Sequence, residues 1–99
     1  MTATEQIETG VYEGEIRFRG AAGEISARGI MDSCGFSGAA EGRTVIIDID
    51  LNRQGKYLAG FAQVTTPVAS MPVAVTARID RDTITITGPE FEGLLKRTI

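Results

Sequence analysis

The spacing Asp48-x-Asp50-x-Asn52 matches the first three oxygen ligands of a helix-loop-helix calcium site, where carboxylates two residues apart converge on one ion. That loop next requires a glycine and then a closing glutamate, and the corresponding residues here are Arg53 and Ala59. Residues two apart also share one face of a β-strand, so the trio reads as the wet side of a strand. Gly35-Phe36-Ser37-Gly38 has part of the spacing of a nucleophile elbow, but the final glycine position holds Ala39. There is no histidine in the chain. This removes the commonest general base near neutral pH, the imidazole metal ligand, and Ser-His or Cys-His nucleophile activation. The single cysteine, Cys34, has no basic neighbour in sequence to stabilise a thiolate. The remaining carboxylate pairs, Asp48/Asp50 and Asp80/Asp82, fall where exposure is expected. No residue is assigned a catalytic, metal or cofactor role, and a non-enzymatic protein is expected.

Arginine and aromatic side chains offer binding chemistry instead. Arg17-Phe18-Arg19 with Tyr12 has the composition of a surface that stacks bases and contacts phosphates. Strand alternation, however, turns Tyr12 and Phe18 away from the arginines, and Glu13 and Glu15 sit among them. That is a mixed-charge face. Arg17, Arg19 and Arg28 are retained as candidate ligand contacts at a barrel mouth. Tyr57 and Phe61, with Tyr12 and Phe18, have the size to line a small-molecule cavity or simply to fill a core.

The bulk properties bound these readings. Ninety-nine residues make one domain. A charge of −3 and a pI near 4.9 argue against a broad electrostatic grip on nucleic acid or anionic membrane. The opening MTATEQIETG lacks a basic start and an apolar run, so no signal peptide is expected. No stretch approaches the about 18 consecutive apolar residues of a membrane helix. One cysteine allows no internal disulfide. A cytoplasmic setting fits these features.

The elements that would position these residues are strands. Residues 1–10 are patternless and read as an N-terminal arm, leaving 11–99 as a single β domain. Val11 to Arg19 alternates, with Tyr12, Ile16 and Phe18 on one face and Glu13, Glu15, Arg17 and Arg19 on the other. Gly20 to Gly23 turns the chain, and Ile25, Ala27, Gly29 and Met31 resume the inward face. Asp32 to Gly42, DSCGFSGAAEG, reads as a glycine-rich loop.

The central hairpin follows, RTVIIDIDL-NRQG-KYLAGFAQVTT. Val45, Ile47, Ile49 and Leu51 share one face, and Leu58, Gly60, Ala62 and Val64 share one on the return. Ile46, Tyr57 and Phe61 fall on the opposite, nominally wet face, so this hairpin has apolar residues on both sides. Thr66-Pro67 and Met71-Pro72 bracket a loop. Val73 to Asp80 and Thr83 to Thr87 form a third hairpin about Asp80-Arg81-Asp82. In the tail from Pro89, Phe91, Leu94, Leu95 and Thr98 are spaced for one face of a short helix, an assignment favoured over a final strand although Gly93 weakens it.

The result is an all-β chain, an antiparallel meander of six to seven strands closing into a small barrel or a sandwich, with a short C-terminal helix. The Gly10-x-Tyr12-x-Gly14 opening and the meander resemble the calycin barrels of the lipocalin and avidin kind, which implies a ligand-binding barrel. The stretch from Ile16 to Thr66 resembles a PilZ domain, which implies a barrel that binds a cyclic dinucleotide. The R-x-x-x-R signature of that family is missing, and MDSCGFSG does not supply D-x-S-x-x-G in register, so no binding residue is carried over. The expected function is a non-catalytic binding or interaction module. It would work as an oligomer or with a protein partner through Ile46, Tyr57 and Phe61; a small-molecule-binding barrel is the alternative.

Overall fold

A computed structural model describes residues 9–18, 24–89 and 91–98, with only the backbone of Phe18. Within them the chain forms eight strands: β1 (Gly10–Phe18), β2 (Glu24–Met31), β3 (Gly35–Glu41), β4 (Ile46–Gln54), β5 (Tyr57–Thr65), β6 (Ser70–Asp80), β7 (Thr83–Thr87) and β8 (Phe91–Arg97). Each pairs antiparallel with its sequence neighbours, and β8 returns to β1, closing the barrel. Closure removes most of the open edge that would template aggregation.

Alternation decides which residues face in. Along β2 every second residue is buried, Ile25, Ala27, Gly29 and Met31, while Glu24, Ser26, Arg28 and Ile30 face water. The same period places Ile47, Ile49 and Leu51 of β4 and Leu58, Ala62 and Val64 of β5 inside. The interior is closely filled, with Tyr12, Ile16, Phe36, Ile84 and Leu95 at 0–1% exposure. Packing of this kind is what an eight-stranded barrel requires to exclude voids.

Two inward glycines let neighbouring backbones approach. A Cβ at Gly14 would land on the Leu94 carbonyl oxygen, and one at Gly60 on the Asp50 carbonyl oxygen. The Phe36 ring lies where Cβ atoms of Gly29 and Gly38 would be, so one aromatic covers the gap of two glycines. Gly55, at φ 67°, closes the tight β4–β5 turn.

The structure corrects three expectations. There are eight strands, not six to seven, because the glycine-rich segment read as a loop contains β3. Its Phe36 and Ala40 are buried and its Ser37, Ala39 and Glu41 exposed, but residues this small give no hydropathy contrast between faces. The tail is β8 and not a helix. Phe91 and Leu95 point inward and Leu94 is exposed, since the tail supplies the strand that bonds to both β7 and β1. Helical spacing of three residues is weak evidence against the demand of two open strand edges. β6 also begins before Met71-Pro72, with Pro72 opposite Gln63. Arg19, the Phe18 side chain, the Gly20–Gly23 turn and residues 1–8 of the proposed arm lie outside the described residues; Gly10 itself begins β1.

Candidate interaction surface

The interior takes up Tyr12, whose phenol is held above its ordinary value chiefly by burial, with Arg97 opposing and Asp82 reinforcing the shift. Tyr57 and Phe61 are not in the interior. They project from the outer face of β5, 61% and 63% exposed. Ile46, on the outer face of β4, is 41% exposed. The sequence-predicted trio therefore shares the outer wall of one hairpin. It is spread along that wall, with Ile46 opposite Thr65, Phe61 opposite Asp50 and Tyr57 opposite Gln54. Positions four residues apart on a strand are separated by about 13 Å, so these are three separate contacts and not one cluster.

Register shows what surrounds them. One cross-strand row on the outside runs Val11, Ile30, Ser37, Asp50, Phe61, Ala74, and the next runs Glu13, Arg28, Ala39, Asp48, Gln63, Pro72. The small side chains of β3 make a low floor between Ile30 on β2 and Asp48 and Asp50 on β4. This shallow trough of about 630 Å³ is lined by Ile30, Ser37, Ala39, Asp48 and Asp50 among others. At the far end of the same wall, Tyr57 faces Arg78 across the β5–β6 pair and follows Lys56 in the hairpin turn. Arg53 at this tip donates from Nε to the Gly55 carbonyl at 3.0 Å. Asp48, Asp50 and Asn52 are all exposed, and among the described residues no group of three His, Cys, Asp or Glu is placed to hold a metal ion.

The predicted arginine site takes a different form. Arg17 pairs with Glu24 at 3.3 Å and Arg28 with Glu13 at 3.1 Å, both on the outer wall of β1 and β2. Arg17 and Glu24 form the last register pair of the β1–β2 hairpin, whereas Arg28 lies mid-strand in β2 opposite Glu13. A wider groove of about 970 Å³ crosses this wall, lined by Glu13, Glu15, Glu24, Glu41, Leu94 and Lys96 among others. Glu15 is held above the ordinary glutamate value by a hydrogen bond with the Glu24 carboxyl and by that group's charge. Cys34 is exposed in the β2–β3 turn, where its backbone N–H and that of Gly35 donate to Asp32 Oδ1.

Two outward apolar residues escaped the sequence reading. Ile30, 60% exposed, was legible, since it sits between inward Gly29 and Met31 on a strand whose alternation is clear. Leu94 was hidden by the helical assignment of the tail. No family model, no curated protein and no solved structure matches this chain.

Proposed function

We propose that this protein is a non-catalytic interaction module whose contact surface is the outer wall of the β4–β5 hairpin. The observation that carries the reading is the placement of Tyr57 and Phe61. Aromatic side chains bury about 150–250 Å² each when covered. At just over 60% exposure, each leaves roughly 100 Å² in water. Covering that area contributes about 2–3 kcal/mol per side chain, at about 25 cal/mol per Å². A barrel already filled by Phe36, Tyr12 and branched aliphatics has no folding use for them. Enrichment of Tyr and Phe is characteristic of the cores of protein interfaces.

The absence of histidine from the sequence and the exposed setting of Asp48/Asp50 and Asp80/Asp82 support a role without catalysis. Charged outer faces such as Glu24-x-x-x-Arg28 and Asp48-x-Asp50 are the reverse of a lipid-facing barrel wall, which supports work in water. The small-molecule reading draws no support from the aromatic side chains, because Tyr57 and Phe61 face away from the interior.

The test is a photo-crosslinking amino acid in place of Phe61, with the protein expressed in its native cell. Illumination is expected to join the chain to a protein, either another copy or a different one. Crosslinks at Phe61 no more frequent than at Thr85, an outward position on β7, would overturn the proposal.

A further inference from the structure

We infer that the partner is a different protein, which docks an extended, proline-free apolar segment against an open edge of β6. The inference rests on the interaction-module reading above and adds how the partner is held and what chemistry it brings. It begins from a gap in the hydrogen-bonded ladders. β6 pairs with β5 along residues 70–78 but with β7 only along residues 76–80. β7 turns away at Gly88, whose N–H donates to the Phe91 carbonyl at 2.8 Å. Residues 70–75 of β6 therefore have no described strand on that side. Nowhere else does a described strand run unpaired on one side for more than three residues.

Two hydrogen bonds fix which backbone groups face the gap. Thr66 N–H donates to the Ala69 carbonyl at 2.7 Å, and Ile79 N–H to the Lys56 carbonyl at 2.8 Å. Bonded and non-bonded pairs alternate along an antiparallel ladder. Met71, Val73 and Val75 are therefore directed at β5, and Ser70, Pro72 and Ala74 away from it. Pro72 stands opposite Gln63 in a non-bonded pair, so the donor it lacks is missing from the open side and not from the β5 ladder. The gap presents the N–H groups of Ser70 and Ala74 and the carbonyls of Ser70, Pro72 and Ala74. Another extended backbone matches such alternating donors and acceptors.

Both faces beside the gap are apolar. On the inward side Val75 is buried, Val73 is half-buried against the core, and Met71 is 53% exposed. Val64, across from Met71 on β5, is buried, so what Met71 lacks is a neighbour on the open side. On the outward side Phe61 is opposite Ala74, and only a methyl group stands between the exposed ring and the edge. A segment laid along residues 70–74 would meet Met71 and Val73 on one face and Phe61 above Ala74 on the other. Its side chains are therefore apolar on both faces.

Pro72 decides between a second copy and another protein. Two copies paired antiparallel about Pro72 would set proline against proline, leaving two carbonyls with no N–H between them. Shifting the register so that Pro72 meets Ala74 of the second copy retains only the bonds from each Ala74 N–H to the opposing Pro72 carbonyl. A proline-free segment can engage every open group. Proline on an open edge is a means by which sheets resist pairing with copies of themselves, and here the donors on either side of it stay available to a different chain.

The experiment pans a phage-displayed library of random peptides of about twelve residues on the immobilised full chain, with Ala74→Pro as the matched bait. That substitution removes an N–H from the open side and none from the β5 ladder, so circular dichroism and the urea midpoint should match the parent. Where Ala74→Pro fails to fold, Ala74→Lys takes its place by setting a charge against the apolar segment. The parent is expected to enrich peptides carrying about five consecutive apolar residues without proline, and Ala74→Pro to bind them about tenfold more weakly or worse. In the free parent the Ala74 amide is expected to exchange with solvent about a hundredfold faster than that of Val73, and to slow when a selected peptide binds.

No enrichment on the parent, peptides that bind both baits equally, or an Ala74 amide already protected in the free chain overturns the inference. A parent that dimerises in sedimentation equilibrium, and loses the dimer in Ala74→Pro, overturns it in favour of a second copy. The photo-crosslink at Phe61 separates the two proposals. A crosslink to another protein that survives Ala74→Pro sinks the edge alone, and no crosslink at Phe61 in the parent sinks the module as well.

Discussion

The wall built from β1 and β2 and the wall built from β4 and β5 have the same alternation, yet they are finished differently: the first exposes Glu13, Glu15, Arg17, Glu24 and Arg28, the second only Asp48 and Asp50 among charged residues. On the first, Arg17 and Arg28 are each matched to the carboxylate directly opposite in the register, Glu24 and Glu13. On the second, Asp48 and Asp50 stand opposite Gln63 and Phe61, so no cross-strand partner neutralises them, and two aromatic rings project beside them. A wall closed on its own charges is complete as a monomer surface. The second leaves two acids and two aromatic rings open, and this is the ground for the proposed contact there. The difference lies in which residue types occupy outward positions, not in backbone geometry.

Breaking the barrel itself should have the largest effect, and it should do so equally from either wall. Gly14→Ala on β1 and Gly60→Ala on β5 each force a Cβ into a neighbouring strand's carbonyl oxygen. Backbone must shift in both cases. A loss of about 3 kcal/mol is expected for each, read as a fall in the urea midpoint. If only one of the pair is destabilising, the two walls are not equally constrained at the backbone.

The next contrast isolates the two faces of the central hairpin. Leu51→Ala, on the inward side of β4 at 1% exposure, is expected to cost about 2–5 kcal/mol through lost burial and a cavity. Phe61→Ser, outward on the paired strand and opposite Asp50, is expected to change monomer stability by no more than about 0.5 kcal/mol while abolishing association with the partner. Chemical denaturation, alongside titration with a peptide that binds the parent, separates the two effects. A Phe61→Ser chain destabilised as strongly as Leu51→Ala would mean that the ring supports the fold.

These contrasts also mark where the sequence was readable. β1, β2, β4, β5, β6 and β7 carry apolar residues of ordinary size on alternate positions, and their inward faces were assigned correctly from Ile25 to Ile86. Parity put Tyr57 and Phe61 outward, while their size suggested core filling or a cavity lining; the structure follows parity, with both rings exposed. β3 was lost because Gly38, Ala39 and Ala40 look alike whether they face water or core; only the ring of Phe36 against Gly29 and Gly38 shows how they are used. β8 was lost because three apolar positions fit a helix as well as a strand, and closure of the sheet is a property of the whole chain. The trough depends on β3 having no bulk, so a surface made by missing side chains left no trace in the hydropathy pattern. The pairing of Arg17 and Arg28 needed cross-strand register, which their spacing from the hairpin turn alone did not supply.

Ion pairs on the closed wall should matter little to stability. Arg28→Ala removes a contact to Glu13 whose two side chains are both largely in water, and a loss of about 0.2–1 kcal/mol is expected, falling as salt is added. The urea midpoint at low and high salt measures it. A salt-independent loss would point to the packing of the arginine stem on its neighbours and not to its charge.

The smallest effect belongs to Glu15, and its sign distinguishes a wall that is fully matched from one that is over-supplied with acid. Glu24 both hydrogen-bonds Glu15 and repels its charge, so the folded chain holds the Glu15 proton above the ordinary value of 4.5. A raised carboxyl binds its proton more tightly folded than unfolded. Its contribution to stability is therefore fully present below the unfolded value and is lost as pH rises through the folded one. At neutral pH two carboxylates face each other with Arg17 engaging only Glu24. Glu15→Gln keeps a donor for Glu24 and removes the repulsion. The variant is expected to gain stability relative to the parent between about pH 4 and about pH 7, with the advantage growing as pH rises. Urea midpoints of both chains across that range measure the difference. An advantage that shrinks with rising pH would mean that Glu15 is held ionised by Arg17 or Lys96, and that the β1–β2 wall is as closely matched in charge as its two arginine pairs suggest.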